Sequence, residues 1–364
     1  MKQLCWAASG FFLALVLTGC GAAEKSPEAV RQTEPAEPAI PRARDADDAA
    51  RFLAGLPGES GSPFLEMETS PAWQSHRASM DAAWKKAEGG LLAKLRAFEK
   101  QELSGPGWDA PVFYPFGGPD SLTVTLLFPR SPAYTIVGLE PAGTLPTVTQ
   151  FEMLDLPTYL AETRATMASA LGKSFFVTRE MDKQFRGQIT DGLLLPILEL
   201  LVRTQQRILG SVRENNSIQV EFASADGSRH TLRYFSVNLS DTQLAKNEPF
   251  LRYLAELKGV TTFLKATSYM THNKDFSTIR NALLQSSVNV LQDDSGIPYA
   301  SFPPEVWDVQ LYGQYTQPYG SFKWRVQADL KAAYAAGGAK PLALQLGYGY
   351  GRVGSNLLMA RRKQ

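Results

Sequence analysis

The sequence predicts an α/β or α+β fold, a mixed sheet with flanking helices, and three features carry that expectation. Short apolar runs alternate with segments of helical period along most of the chain. One stretch, SIQVEFASADGSRHTLRYFSVNL, alternates with period two on both sides of an Asp226-Gly227 turn. Two further segments share a strand-helix-strand plan. Strands alternating with helices point to layered sheets and helices, and period-two runs around Asp-Gly point to a hairpin.

In chain order, Ser70-Pro71 reads as a helix start, with Ser as N-cap and Pro at the first helical position. Trp73, Met80, Trp84, Ala87, Leu91, Leu95 and Phe98 then fall on one helical face, with Gly89-Gly90 expected to kink or split it. Residues 112–116 and 134–139 read as strands around a helix-compatible segment at 120–128. Helices are expected at 156–171 and 191–209, then the hairpin. After it come a strand (261–270), a helix (276–286), strands at 288–292 and 306–312, a helix (321–335) and short strands at 341–347 and 355–360.

The shared plan lies in FYPFGGPDSLTVTLLFPRSPAYTIVGLEP and SYMTHNKDFSTIRNALLQSSVNVLQDDSG. Each has an Asp placed to cap a helix, Asp120 or Asp275, and a strand ending in acid; Asp120 to Glu140 spans 20 residues and Asp275 to Asp293 spans 18. Ligands of open α/β sheets bind beyond the carboxyl ends of the strands. Parallel strands in both units would therefore gather Asp120, Glu140, His272, Asp293 and Asp294 on one edge. The plain alternative is that Asp120 and Asp275 only cap helices and the other acids are solvated turn residues. Tyr312 shares a strand face with Asp308 and Gln310, a face that either lines a polar groove or meets water.

Other motifs fail on context. Gly349-Tyr350-Gly351-Arg352-Val353-Gly354 has the spacing of a dinucleotide loop, but the chain ends ten residues later, leaving no room for the following helix and acid. A glycine-rich hairpin is expected instead, with Arg352 and Asn356 as candidate lining of an anion or sugar pocket. LGKS at 171–174 lacks the first glycine of a phosphate loop, so no nucleotide is expected. The His residues at 76, 230 and 272 are dispersed and argue against a structural zinc site. A divalent cation held by Asp293 and Asp294 is the one metal alternative. A net charge of +1, with 44% hydrophobic and 20% charged residues, describes an ordinary globular chain without an electrostatic case for nucleic acid.

At the amino end, Lys2 precedes an apolar segment of 13 residues, Leu4 to Val16, broken only by Ser9 and Gly10. That is short of the roughly 20 residues a membrane span needs and matches a signal-peptide core. Leu17-Thr18-Gly19-Cys20 resembles the lipobox of bacterial lipoproteins. The resemblance implies cleavage before Cys20, triple acylation of that residue, and a practically irreversible membrane anchor. Gly21 at the sorting position implies the outer membrane, on its periplasmic face. The expected organisation is a signal peptide at 1–19, a Pro- and Glu-rich linker at 20–44 and a globular domain at 45–364, with halves at 45–210 and 211–364. With Cys5 removed and Cys20 lipidated, no thiol remains, and the core alone must hold the domain.

The segments FYPFGGPD, GLEP, LQDDSGIP, LYGQY and SNLLMARRK resemble a family of uncharacterised bacterial lipoproteins and secreted proteins, a resemblance that implies no activity. The expectation is a lipid-anchored envelope domain that binds an envelope protein or a small ligand without chemistry and without a cofactor. The alternative is a carboxylate- or divalent-cation-dependent hydrolase built on the acidic edge, with His272 as acid or base.

Overall fold

A computed structural model describes residues 43–145, 147–173, 192–214, 216–315, 317–318, 320–349 and 355–363. The arrangement is α/β, built on a nine-stranded mixed sheet in the order β3-β4-β5-β2-β1-β6-β7-β9-β8. The strands are β1 (Val112–Tyr114), β2 (Ala133–Gly138), β3 (Arg207–Glu214), β4 (Ser217–Ala223), β5 (Arg229–Ser236), β6 (Val260–Leu264), β7 (Ser287–Gln292), β8 (Trp307–Gly313) and β9 (Asn356–Arg362). β5, β2, β1, β6 and β7 are mutually parallel, while β3-β4 and β9-β8 add antiparallel margins.

The helices are α1 (Ala43–Leu53), α2 (Pro71–Ala87), α3 (Ala93–Phe98), α4 (Ser121–Leu127), α5 (Val148–Glu152), α6 (Leu156–Lys173), α7 (Leu194–Arg203), α8 (Asp241–Leu244), α9 (Glu248–Glu256), α10 (Ser277–Ser286) and α11 (Ala328–Ala335). Both strand-helix-strand segments are parallel units, β1-α4-β2 and β6-α10-β7. They leave the central β1/β6 pair in opposite directions and pack their helices on opposite faces: Leu122, Val124 and Leu127 enter one core, Ile279 and Leu283 the other.

Strand side chains alternate between these cores, as the pleat requires. Val112 and Tyr114 face the first core and Phe113 the second; Leu357 and Met359 alternate in the same way with Leu358 and Ala360. A third cluster joins α1 to Phe64, Trp73 and Phe151, where the Trp73 indole N–H donates to Phe52 O at 2.9 Å. Ser70 caps α2 by accepting from Trp73 N, and the helix continues through Gly89-Gly90 in a widened turn at Glu88–Leu92 rather than splitting.

Several expectations need correction. The helix expected at 191–209 ends at Arg203, and β3 begins at Arg207. Gln205 adopts φ 66°, Gln205 N donates to Val202 O and Gln206 N to Leu201 O, a Schellman closure made without the glycine that would have signalled it. The helix expected at 321–335 is a 3-10 turn, Gly320–Arg325, followed by α11. Residues 341–347 form no strand: Leu344 and Leu346 pack into the first core, but β9 already occupies the edge of β7. Asp275 caps nothing; the Asp241 carboxylate accepts from Ser277 N and Thr278 N at the start of α10. The proposed glycine hairpin falls partly on residues 350–354, outside the described residues, and the boundary at 210 lies inside β3.

All ten residues of α7 are buried, including Glu199, whose carboxyl is pushed up to about 8 by burial, with Arg203 opposing. The folded chain therefore keeps a proton that the unfolded chain has lost above about pH 4.5, so stability falls as pH rises toward 8. Glu199→Gln should remove that slope and stabilise the protein at pH 9 by roughly 2–5 kcal/mol. Urea denaturation of both forms at pH 5 and pH 9 checks the expectation; parallel pH profiles would refute it.

Candidate functional site

The carboxyl edge of the parallel strands is centred where β1 and β6 send the chain to opposite sides, the position at which open α/β sheets bind ligands. Tyr114 ends β1, and the chain then turns through Phe116 at φ 63° and Gly118 at φ 55° before Asp120 caps α4. The turn passes so near the Tyr114 ring that a Cβ at Gly117 would lie 2.8 Å from it. Asp120 Oδ1 accepts from Thr123 N at 3.1 Å, and Oδ2 accepts from the Tyr114 hydroxyl at 3.1 Å.

Lys265, directly after β6, completes this cluster. Its Nζ lies 2.6 Å from Asp120 Oδ2 and donates to Thr123 Oγ1 at 2.9 Å, with both charged side chains at most 5% exposed. Burial, and then the Asp120 charge, raise the Tyr114 phenol well above its ordinary range, so it remains a donor.

The loop after Lys265 is strained: Ala266, Ser268 and Tyr269 adopt φ of 50°, 55° and 57°, a conformation costing about 1–2 kcal/mol per non-glycine residue. The segment Asp293–Gly296 beyond β7 holds it in place. Ala266 N donates to Asp293 Oδ2 at 2.9 Å, Thr267 N to Ser295 Oγ at 2.9 Å, and Thr271 Oγ1 to Gly296 O at 2.6 Å. The Tyr269 hydroxyl donates to Asp294 Oδ2 at 2.5 Å.

The remaining acceptors of the pair are also taken. Ser295 N and Oγ donate to Asp293 Oδ1, and Asn356 Nδ2 donates to Asp294 Oδ1 at 3.0 Å while its Oδ1 accepts from Asp294 N at 2.8 Å. Burial, then the Asp294 charge, raise the Asp293 carboxyl; burial raises Asp294, with Tyr269 and Asn356 opposing. A Cβ at Gly347, which has φ 53°, would lie 2.5 Å from Asp293 Oδ2, so the chain shuts over this oxygen. Phe322 packs on Tyr269 and Tyr348 with ring centroids 5.2 and 5.4 Å apart.

Glu140 and His272 lie on the same edge without joining these hydrogen bonds. Glu140 is buried at the end of β2; Oε2 accepts from Leu139 N at 3.1 Å, and Oε1 has no hydrogen-bond partner among the described residues. His272 meets the Tyr269 ring edge-on with centroids 5.2 Å apart, burial lowers it to about 4, and its Nε2 has no hydrogen-bond partner among the described residues. Tyr312 neither lines a groove nor faces water: it is buried in the first core, and its hydroxyl donates to Glu102 Oε2 at 2.5 Å. Arg352 and Cys20 lie outside the described residues. Among the described residues no three His, Cys, Asp or Glu side chains are grouped to hold a metal, and a cation at Asp293-Asp294 would have to displace donors of the fold.

Lys265, Tyr114 and Tyr269 escaped the sequence reading. The available signal was FLKATS, a lysine immediately behind the β-branched and apolar run VTTFL, which puts a cation at the strand end. A second feature, a cleft of about 890 Å³, opens at the opposite, amino edge between α1, α2, α7 and the start of β3.

Removing one member of a buried ion pair costs about 3–5 kcal/mol because the other charge is left unpaired. Lys265→Met should lose that much stability, and adding Asp120→Asn should restore more than half of it. Chemical denaturation of the two single variants and the double variant measures the coupling; additive losses would refute it. No protein-family model matches the chain, and no curated protein matches it in sequence.

Proposed function

We propose that this chain is a lipid-anchored protein of the bacterial envelope, carried on the periplasmic face of the outer membrane, whose domain binds a partner or small ligand without chemistry. The anchor rests on Leu17-Thr18-Gly19-Cys20 behind a 13-residue apolar core. Among the described residues no helix is long and apolar enough to cross a membrane, so any attachment through those residues would not be a helical span.

One observation favours binding over hydrolysis: the carboxylates at the carboxyl edge already serve the fold. Asp120 neutralises Lys265, Asp293 holds Ala266 and Ser295, and Asp294 holds Tyr269 and Asn356. A general base or nucleophile needs a lone pair within reach of substrate, and these are occupied and covered. Hydrolysis would require the loops at 266–271 and 293–296 to come apart.

Two measurements test this reading. Cys20→Ser should abolish incorporation of labelled palmitate in cells and move the protein from the membrane to the soluble fraction; continued labelling would overturn the anchor. Calorimetric titration of the full chain with magnesium, manganese and calcium should give no saturable heat. Saturable binding lost in Asp293→Asn, Asp294→Asn would instead establish the cation-dependent hydrolase as the reading to pursue.

A further inference from the structure

The cleft at the amino edge has the size of a small-molecule site, which usually spans about 300–1,000 Å³. Its apolar wall includes Leu56, Trp84 and Leu126. Four arginines, Arg51, Arg96, Arg203 and Arg207, stand around it against Asp47, Glu59 and Glu88. What matters is which of these charges the fold has already used.

Two of the arginines are already paired with carboxylates, although the buried Nη2 of Arg203 has no hydrogen-bond partner among the described residues. Arg96 grips both oxygens of Glu88, which also accepts from the Trp84 indole N–H at 3.2 Å. Arg203 donates to Ala54 O at 2.6 Å and to Asp81 Oδ1 at 2.7 Å. Asp47 is spent as well: its Oδ1 accepts from Ile208 N at 2.7 Å, and burial raises its carboxyl.

Arg51 and Arg207 are different. Arg51 places Nε and Nη2 on a neutral carbonyl, Pro57 O, at 3.1 and 2.9 Å, and no carboxylate among the described residues is hydrogen-bonded to it. The Arg207 side chain is exposed and makes no hydrogen bond among the described residues, its backbone being paired in β3. Both line the same cleft, as do Asp47 and Glu59. The carbonyls ending α7, which would repel an anion, are already closed by Thr204, Gln205 and Gln206 N–H groups.

We propose that this cleft binds an amphiphilic anion, with its carboxylate or phosphate group held by Arg51 and Arg207 and its apolar body lying on Leu56, Trp84 and Leu126. The inference rests on the reading of the domain as a binding module and gives that module its seat. A planar guanidinium pair suits such oxyanions because it can donate paired hydrogen bonds. Glu59 sets the selectivity, disfavouring highly charged ligands over singly charged ones.

The test is calorimetric titration of the full chain with octyl phosphate and, separately, inorganic phosphate, alongside co-sedimentation with phosphatidylglycerol vesicles. Octyl phosphate should bind saturably and more tightly than inorganic phosphate. Arg207→Ala and Arg51→Ala should each weaken it about tenfold, the scale of one charge-assisted hydrogen bond. Glu59→Gln should tighten it several-fold. The Arg207 side chain holds no hydrogen bond of the fold among the described residues, so circular dichroism of that variant should be unchanged. Vesicle binding that these variants lose assigns the anion to a lipid head group; its absence beside octyl phosphate binding assigns a soluble ligand. No heat with octyl phosphate at millimolar concentration, or an unchanged, parent-level affinity in both arginine variants, would overturn the cleft. Neither result touches the non-catalytic reading, which the cation titration decides through other residues.

Discussion

The Asp120-Lys265 ion pair is the contact on which the carboxyl edge is organised. Taking two charges out of water costs several kcal/mol per ion, repaid only when geometry and accompanying hydrogen bonds are good. Here both conditions hold: Asp120 accepts from Lys265, Tyr114 and Thr123, and Lys265 also reaches Thr123. The pair joins the ends of β1 and β6, the two strands from which the chain departs in opposite directions. Such a pair fixes register, because a sliding strand would bury each charge alone.

From that junction the edge is assembled as a set of mutual restraints. Strain in the 266–269 backbone is offset by N–H and hydroxyl groups that find fixed acceptors in 293–296. Asp294 in turn is tied to Asn356 on β9, so an antiparallel margin of the sheet stabilises a loop of its parallel centre. Acidic side chains that look available in the sequence are thus structural acceptors. The cleft at the other edge has a different character: among the described residues Arg51 and Arg207 hydrogen-bond no carboxylate.

The legible part of the fold was its local part. The β4-β5 hairpin, the Ser70 cap of α2 and the Asp120 cap of α4 each rest on residues within a few positions of one another. The gathering of acids on one edge followed from two parallel units and the direction of their strands. What stayed hidden depends on partners distant in sequence. Lys265 has meaning only beside Asp120, Asp241 caps a helix that begins beyond α9, and Arg51 comes to share a cleft with Arg207 only once α1 lies against β3. Gln205 concealed the end of α7 because a glutamine in the left-handed region carries no compositional signal.

The sheet order also dictates a timetable. β1 is made early, yet one of its two neighbours, β6, follows only after β2, β3, β4 and β5. Until residue 264 has emerged, β1 is an edge strand with an unmet row of amides, and Asp120 is a carboxylate without its cation. Pairings of such long range are slow to form, and an unpaired hydrophobic edge invites the wrong partner meanwhile. Keeping the nascent β1 edge apart from other strands until β6 arrives is therefore a demand that this strand order places on the folding chain.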